Sequence, residues 1–201
     1  MDDRLVQIAQ LADDEIRFLA ALHHSVMHTL LSDLGLPMVL RYYQIAWADP
    51  SVIGLCIRSG SGEISGWAIG SPHPDRINAQ LRSPLPWFLM QIFRVAMTRP
   101  AVVWQLLSSV LSTSHQPGWK HGTIELTYIG VASDRRGKGA GKTLLHAFIE
   151  ASRVKGYHSV VLSVEKENSP AIALYEKEGF RIIKTFPEGR YQRHRMELML
   201  A

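Results

Sequence analysis

The sequence predicts an α/β fold in which helices cover both faces of a mixed, mostly antiparallel β-sheet. Its 201 residues are 46% hydrophobic and 20% charged, which is ordinary for a globular protein. From Gly122 onward, apolar runs and helical periodicities follow one another as strand, helix, strand, helix, strand, strand. Two earlier apolar runs flank a Ser-Gly-Ser-Gly turn at 59–62, which is typical of a hairpin. Because a chain of this length buries roughly 70% of its surface as one unit, we expect a single domain over residues 1–201.

The N-terminal half is predicted to alternate between strands and helices. Asp13 or Asp14 is a suitable N-cap for a helix, and Leu36-Pro37 suits a helix start because proline loses no donor in the first turn. The elements predicted here are a strand at 5–9, a helix from 13 or 14, a helix from 36 to the stop at Asp49-Pro50, and strands at 52–58 and 63–71.

The C-terminal half contains a short helix whose own residues mark its boundaries. Asn168 is a natural N-cap, Pro170 falls in the first turn, and Gly179 is a natural stop after the last turn. The other elements predicted here are strands at 123–131, 159–165, 181–186 and 191–200, and a helix that carries Leu144, Leu145, Phe148 and Ala151 at helical spacing.

A glycine-rich basic loop joins the 123–131 strand to the next helix. It contains Gly137, Gly139 and Gly141. Glycine permits φ > 0 and close approach of a ligand, and the first free N–H groups of the helix point at the same place with the positive end of its dipole. The loop is therefore predicted to bind a phosphate, although a flexible basic turn has the same composition.

Spacing separates three phosphate-binding patterns for this loop. A Walker A motif needs glycine where the sequence has Arg136, although Gly141-Lys142-Thr143 matches its end. A dinucleotide fingerprint that starts at Gly137 needs glycine where the sequence has Lys142. The third pattern, Gln/Arg-x-x-Gly-x-Gly/Ala, matches residues 136–141 at every fixed position.

The third pattern resembles the coenzyme loop of the GNAT superfamily of acyl-CoA-dependent N-acyltransferases. A second signature of that family, Asn-x-x-Ala-x-x-Leu-Tyr-x-Lys-x-Gly-Phe, is similar to residues 168–180 at each fixed position. The resemblance covers residues 121–200 closely and residues 50–71 loosely. It implies the GNAT fold and acetyl-CoA as cosubstrate, with no metal.

The resemblance also implies which residues bind coenzyme A. Asn168 would hydrogen-bond the pantetheine amide. The strand backbone at Ile129, Gly130 and Val131 would pair with the pantetheine arm and supply an N–H to the thioester oxygen. The residues implied to hold the pyrophosphate are Arg136, Gly137, Lys138, Gly139, Ala140, Gly141, Lys142 and Thr143.

Glu125 is the candidate general base. Acyl transfer from a thioester to an amine needs the amine neutral, and Glu125 lies in the 123–131 strand, in the same alternating register as Ile129 and Val131. In some members of the family that the sequence resembles, a glutamate six residues before the Val131 position acts as the base, usually through water. The alternative for Glu125 is a carboxylate at a strand edge without a catalytic role.

Tyr175 is the candidate general acid for the leaving thiolate. It lies seven residues after Asn168, so both side chains are expected on one side of a helix. A phenol has a usual pKa near 10, close to that of a leaving thiol. The family tyrosine at this position commonly serves as the acid; the alternative is an aromatic residue of the core.

Residues 72–118 are longer than the connection usual between strands 3 and 4 of the family. They are predicted to form two apolar helices, 87–97 and 102–111, hinged at Arg99-Pro100. No acidic residue occurs between Arg76 and Thr123. This insertion is expected to pack on the sheet or close the acceptor site, with Trp87, Phe88, Phe93 and Trp104 buried beside Glu125. A dimer face and a basic helical hairpin on an anionic membrane, with Arg82, Arg94 and Arg99 exposed, are the alternatives.

Other features limit the compartment and the partners. Cys56 is the single cysteine, so it cannot form an internal disulfide, and it is expected to be a buried inert thiol. No run of about 18 apolar residues is present. Both observations favour a cytoplasmic protein. His23, His24 and His28 lack a nearby carboxylate or cysteine to complete a metal site. A net charge of +4 without an aromatic-basic motif suits an anionic ligand and does not indicate nucleic-acid binding.

The sequence thus predicts an enzyme that transfers an acetyl group from acetyl-CoA to a primary amine by direct attack. The acceptor is expected to be a small-molecule or peptide amine, but no motif identifies it, since fold does not determine function. An amine antibiotic, a polyamine, an amino sugar, an amino acid and a protein N-terminus all remain open. A homodimer is compatible with the sequence. The alternatives are an acyltransferase for longer chains, with the insertion as an acyl tunnel, and a non-catalytic coenzyme-A-binding regulatory or scaffold protein.

Overall fold

A seven-stranded sheet organises the computed structural model, which describes residues 4–101, 121–188 and 191–200. The strand order is β1-β2-β3-β4-β5-β7-β6. The β4–β5 pair is parallel and the other five pairs are antiparallel. The strands are β1 (Arg4–Gln7), β2 (Ile53–Arg58), β3 (Ile64–Ser71), β4 (Thr123–Val131), β5 (Ser159–Glu165), β6 (Arg181–Glu188) and β7 (Tyr191–Met199).

Helices cover both faces of this sheet, as predicted. Against one face, α1 and α3 bury Leu19 and Tyr43 in a core with Trp67 of β3. Against the other face, α6 buries Leu144 and Phe148 in a second core with residues of β2, β4 and β5. The helices among the described residues are α1 (Asp13–Val26), α2 (Leu30–Asp33), α3 (Leu36–Ala48), α4 (Pro74–Leu81), α5 (Leu85–Thr98), α6 (Ala140–Val154) and α7 (Ser169–Lys177).

The N-terminal segment differs from its prediction in two details. The strand expected at 5–9 ends at Gln7, because the chain turns into a short 3-10 helix over Ile8–Gln10. The N-cap of α1 is Ala12 rather than an aspartate. Its backbone N–H donates to Glu15 Oε2 at 3.0 Å, which is the half of a capping box that needs no N-cap side chain.

Two glycines allow β3 and β4 to approach their neighbours closely. A Cβ on Gly70 would lie 2.3 Å from the Glu125 carbonyl oxygen and 2.5 Å from the Phe148 ring. A Cβ on Gly130 would lie 2.5 Å from the Trp67 indole. Position 130 therefore requires glycine because a side chain there would clash with Trp67. This requirement is independent of any ligand that the backbone of Gly130 binds.

The chain between β3 and β4 begins with α4, which the sequence analysis missed, and α5, which it predicted. Trp87 and Phe88 pack, partly buried, against the core that α3 shares with the sheet. Phe93, which was expected to be buried, is 65% exposed, so that part of the prediction is wrong. Trp104 and the predicted 102–111 helix lie outside the described residues. None of the helices in the described ranges is long and apolar enough to cross a membrane.

Candidate active site

Strands β4 and β5 separate halfway along β4. Four residue pairs join them, from Thr123–Ser159 to Leu126–Leu162. Beyond Leu126, β4 continues to Val131 paired with β3. The second half of β4 therefore presents one backbone edge to a gap in the sheet rather than to β5.

A β-bulge lies where the two strands separate. Tyr128 is opposite Ile69, but Leu126 is opposite the next residue, Gly70, so Thr127 is the extra residue on β4. An extra residue reverses the side-chain alternation, because successive side chains point to opposite faces.

This bulge corrects the predicted register of Glu125. Leu126, Ile129 and Val131 all face the core beneath α6, whereas Tyr128 faces the core beneath α1 and α3. Glu125, next to Leu126, consequently lies on the same face as Tyr128 and opposite to Ile129 and Val131. Strict alternation along the sequence had placed Glu125 with the latter two.

The edge of β4 that faces the gap is formed by the backbone of Ile129 and Val131. Ala132 N–H donates to Ser65 O at 2.8 Å, so the hydrogen bonds to β3 come from even-numbered residues of this segment. By the alternation of antiparallel pairing, Gly130 is directed to β3. Three residues were predicted to contact the pantetheine arm. Of these, Ile129 and Val131 present backbone groups to the gap, and Gly130 does not.

The glycine-rich loop adopts the conformation that its sequence predicts. Gly137 has φ +76° and Gly139 φ +86°, and a Cβ on either would meet nothing within 4 Å. Gly139 is the N-cap of α6, and the first helical hydrogen bond runs from Thr143 N–H to Gly139 O at 3.0 Å. The N–H groups of Ala140, Gly141 and Lys142 precede that bond, so the helix itself does not use them.

Gly141 needs a different explanation from Gly137 and Gly139. Its φ is not positive, since it lies inside α6, so the positive φ expected of the loop glycines is wrong for Gly141. A Cβ there would lie 3.9 Å from both Leu174 and Val131. These distances place α7 beside the end of β4 and the start of α6.

Basic side chains surround the loop on its exposed side. Arg136, Lys138 and Lys142 are all exposed. Lys138 Nζ donates to Asp134 O at 3.0 Å, and Lys142 Nζ lies 3.9 Å from Glu178 Oε1. Thr143 Oγ1 donates to Gly139 O at 3.4 Å. The loop thus combines free backbone donors with cations, which suits a polyanionic ligand.

Helix α7 forms as predicted and carries Tyr175. The Asn168 side chain accepts from Ala171 N–H at 3.3 Å, and Gly179 has φ +92° after the last turn. Tyr175 is 7% exposed, with its ring centroid 5.8 Å from that of Phe180. Burial raises the pKa of Tyr175 to about 12, above the value near 10 that the sequence analysis assumed. The phenol therefore stays protonated throughout the neutral range.

Glu125 is largely buried and ion-paired. Arg195 Nη1 donates to Glu125 Oε1 at 2.9 Å, and the Glu125 side chain is 16% exposed. Burial raises the pKa of Glu125, and the Arg195 guanidinium opposes that rise. A carboxyl with a raised pKa is a stronger base once ionised.

Aromatic side chains flank the Glu125 face of β4. The Tyr42 and Tyr128 ring centroids lie 5.2 Å apart, and burial raises the pKa of both phenols. His23 Nδ1 is 2.9 Å from the Tyr43 hydroxyl, and burial lowers the pKa of His23 to about 4. His23 is therefore a neutral core residue. No group of three or more potential metal ligands occurs among residues 4–101, 121–188 and 191–200.

Strand β7 contributes two arginines near the candidate site that were not predicted from the sequence. Arg193 Nε lies 2.6 Å from Glu188 Oε2 and Arg193 Nη2 lies 3.9 Å from Glu165 Oε1. Arg195 lies 5.5 Å above the Phe186 ring and reaches Glu125. One sequence feature could have revealed these arginines. Charged residues stand at 193, 195 and 197, and strand alternation places all three on one face of β7.

Comparison with known proteins identifies the family. A family profile described as acetyltransferase (GNAT) family matches residues 21–180, which is more than half of the chain. The protein therefore belongs to the GNAT acetyltransferase family, as the sequence motifs suggested.

Relatives of known activity match only part of the chain. L-methionine sulfoximine/L-methionine sulfone acetyltransferase of Pseudomonas paraeruginosa (strain DSM 24068 / PA7) is 40% identical over 67 residues, 33% of this chain and 38% of the relative. Mycothiol acetyltransferase of Paenarthrobacter aurescens (strain TC1) is 32% identical over 116 residues, 55% of this chain and 35% of the relative. The chain thus spans less than two fifths of the length of either protein.

Solved structures share the fold over the whole chain. The ribosomal-protein-alanine N-acetyltransferase from Brucella melitensis has a TM-score of 0.63 and 19% identity, covering 98% of this chain and 99% of that one. An N-acetyltransferase from Staphylococcus aureus Mu50 has a TM-score of 0.63 and 15% identity, covering 100% of both chains. These likenesses confirm the mixed α/β GNAT fold.

Proposed function

We propose that the protein transfers an acetyl group from acetyl-CoA to a primary amine by direct attack. The observation that carries the proposal is the gap between β4 and β5. The glycine-rich loop and Tyr175 lie on one side of the gap, and Glu125 lies on the other face of the sheet. A ligand that passes through the gap would reach both faces of the sheet.

The loop and the gap fit coenzyme A. The free N–H groups at the start of α6, together with Arg136, Lys138 and Lys142, suit the pyrophosphate, and a Cβ at Gly137 or Gly139 would reduce the open space above the loop. The gap-facing backbone of Ile129 and Val131 suits an extended arm with amide groups. Acetyl-CoA would supply the acetyl group as a thioester with a thiol leaving group.

Glu125 and Tyr175 have the chemistry for opposite proton transfers. Ionised Glu125, with its raised pKa, takes a proton from the acceptor ammonium directly or through a water. Tyr175 remains protonated and donates toward the departing sulfur. Asn168 caps α7 and so orients the helix that holds Tyr175.

The acceptor is proposed only as an amine. The relatives named above are acetyltransferases for L-methionine sulfoximine and L-methionine sulfone and for mycothiol, and this chain spans under two fifths of the length of each. The carboxylates and phenols on the Glu125 face suit a cationic amine.

A thiol-release assay tests the proposal. Acetyl-CoA is incubated with a panel of amino acids, polyamines, amino sugars and peptide N-termini, and amine-dependent release of free thiol is the expected result. Release only with longer acyl-CoA would favour the long-chain alternative, and coenzyme binding without any release would favour a regulatory protein. In a parallel titration, tight binding of magnesium-ATP with no measurable affinity for coenzyme A would sink the cofactor assignment.

A further inference from the structure

Arg195 and Glu125 meet across an intervening strand. Glu125 of β4 pairs in register with Val161 of β5, whereas Arg195 of β7 pairs with Ser163. The Arg195 side chain therefore extends over β5 to place Nη1 2.9 Å from Glu125 Oε1. The two residues are 70 positions apart in sequence, so only the fold brings them together.

The guanidinium is held in place before any substrate arrives. Arg195 is 6% exposed, and its guanidinium carbon lies 5.5 Å from the centre of the Phe186 ring. On its other side, β6 pairs with it through Lys184. A buried arginine with this support keeps one geometry, because few rotamers remain open to it.

We propose that Arg195 is the positioning residue of the general base: it fixes the Glu125 carboxylate through Oε1 so that Oε2 receives the proton of the acceptor ammonium. The proposal rests on the proposed function, because it requires Glu125 to be the base. In this step the N–H bond of the ammonium breaks and an O–H bond forms on Glu125, while Arg195 keeps all its protons.

Among the described charges around Glu125, the Arg195 guanidinium is the one that stabilises the ionised carboxylate against the free-energy cost of burial. Among the described residues, Glu188 and Asp75 oppose ionisation of Glu125, and Arg195 favours it. The titratable groups that face Glu125 are Arg195 from β7, Glu188 from β6, Asp75 from α4, Tyr42 from α3 and, along its own strand, Tyr128.

A purely structural role for this ion pair makes a different prediction. If the pair only ties β7 to β4 and Glu125 takes no proton from the acceptor, its removal lowers stability and leaves the pH dependence of the reaction unchanged. If Arg195 positions the base, its removal raises the pKa of Glu125. The acid limb of the profile of kcat/KM against pH then moves to higher pH, because a larger fraction of Glu125 is protonated at a given pH.

The test compares Arg195→Met, Arg195→Lys and the wild type by pH profile, with Arg153→Met as the matched control. Arg153 also forms an ion pair, with Glu150, but lies on the exposed side of α6. We expect the limb of Arg195→Met to move up by about one to three pH units, the range typical of losing a neighbouring opposite charge. Arg195→Lys should move it less, and Arg153→Met not at all.

Two readouts separate failure of this proposal from failure of the proposed function. The acetyl-CoA affinity of each variant, measured by calorimetry, establishes that it is folded. Suppose that Glu125→Gln has lost the acid limb of the pH profile. An unmoved acid limb in both folded Arg195 variants then overturns the positioning role. A limb that persists in Glu125→Gln overturns the assignment of Glu125 as the base, and the positioning role with it. If Arg195→Met does not fold, Arg195→Gln replaces it as the variant without the charge, and an unmoved limb there contradicts the proposal.

Discussion

The proposed coenzyme side and the proposed acceptor side of the gap are built in different ways. On the coenzyme side, the loop at 136–143 and helix α7 each take their form from neighbouring residues, such as Gly139 at the N-cap of α6 and Asn168 at the N-cap of α7. On the acceptor side, Glu125 depends on Arg195, 70 residues away, and on a bulge at Thr127.

The two sides are therefore encoded over different distances along the chain. Short motifs specify the coenzyme side, whereas the acceptor side requires the completed sheet. Substitutions on the coenzyme side should therefore change affinity, and substitutions around Glu125 should change turnover.

The largest effect is expected for Glu125→Gln. Loss of a general base should lower kcat by ~10²-fold or more. Since burial raises the pKa of Glu125, the wild-type rate should climb as pH rises through that pKa, and the variant should lack this climb. The measurement is a pH–rate profile, with exposed Glu150→Gln as the control. An unchanged profile in Glu125→Gln would leave water or a substrate group as the base.

A smaller loss of turnover is expected for Tyr175→Phe. It should lower kcat by about 10- to 100-fold and leave acetyl-CoA affinity nearly unchanged, because a proton donor to the leaving thiolate acts mainly in the transition state. Steady-state kinetics and calorimetry test the two parts. Tyr157→Phe removes a less buried hydroxyl from the turn after α6 and serves as control. Equal losses in affinity and kcat would assign Tyr175 to binding instead.

Gly139→Val should act on affinity rather than turnover. A side chain at φ +86° is strained by about 1–2 kcal/mol and would occupy the open space above the loop, so acetyl-CoA should bind about tenfold more weakly. Gly156→Val is a close control, since Gly156 has φ +78° and equally open surroundings after α6. Similar destabilisation of both variants, with weak coenzyme binding in Gly139→Val alone, is the expected result.

The smallest effect concerns the exposed apolar face of α5. Leu89, Phe93 and Met97 are exposed, and Arg94 is exposed beside them. We expect no salt-sensitive co-sedimentation with anionic vesicles and less than twofold change in acetyl-CoA affinity for Phe93→Ser, because these exposed side chains pack against neither core. Sedimentation that falls steeply with added salt would instead make α5 a membrane-surface element.

The sequence was sufficient wherever structure follows from local residues. The capped helix α7, the β2–β3 hairpin and the positive φ of Gly137 and Gly139 are all confirmed. Local residue preferences and spacing determine these features, so no distant contact was needed to predict them.

The sequence was insufficient where distant strands decide the outcome. A bulge leaves no mark in the alternation of nine residues, so Glu125 was assigned to the wrong face of β4. The Arg195 pair was missed because it connects β4 to β7 over β5. Tyr175 was given the pKa of a solvated phenol, since the extent of its burial depends on packing between α7 and the sheet.

Acetyl-CoA titrations of Glu125→Gln and Gly139→Val test the separation of the two sides most directly. The account predicts that Glu125→Gln binds acetyl-CoA within about twofold of the wild type while its turnover collapses, and that Gly139→Val binds weakly but retains turnover at saturating acetyl-CoA. A Glu125→Gln protein that loses acetyl-CoA affinity as much as it loses turnover would contradict it.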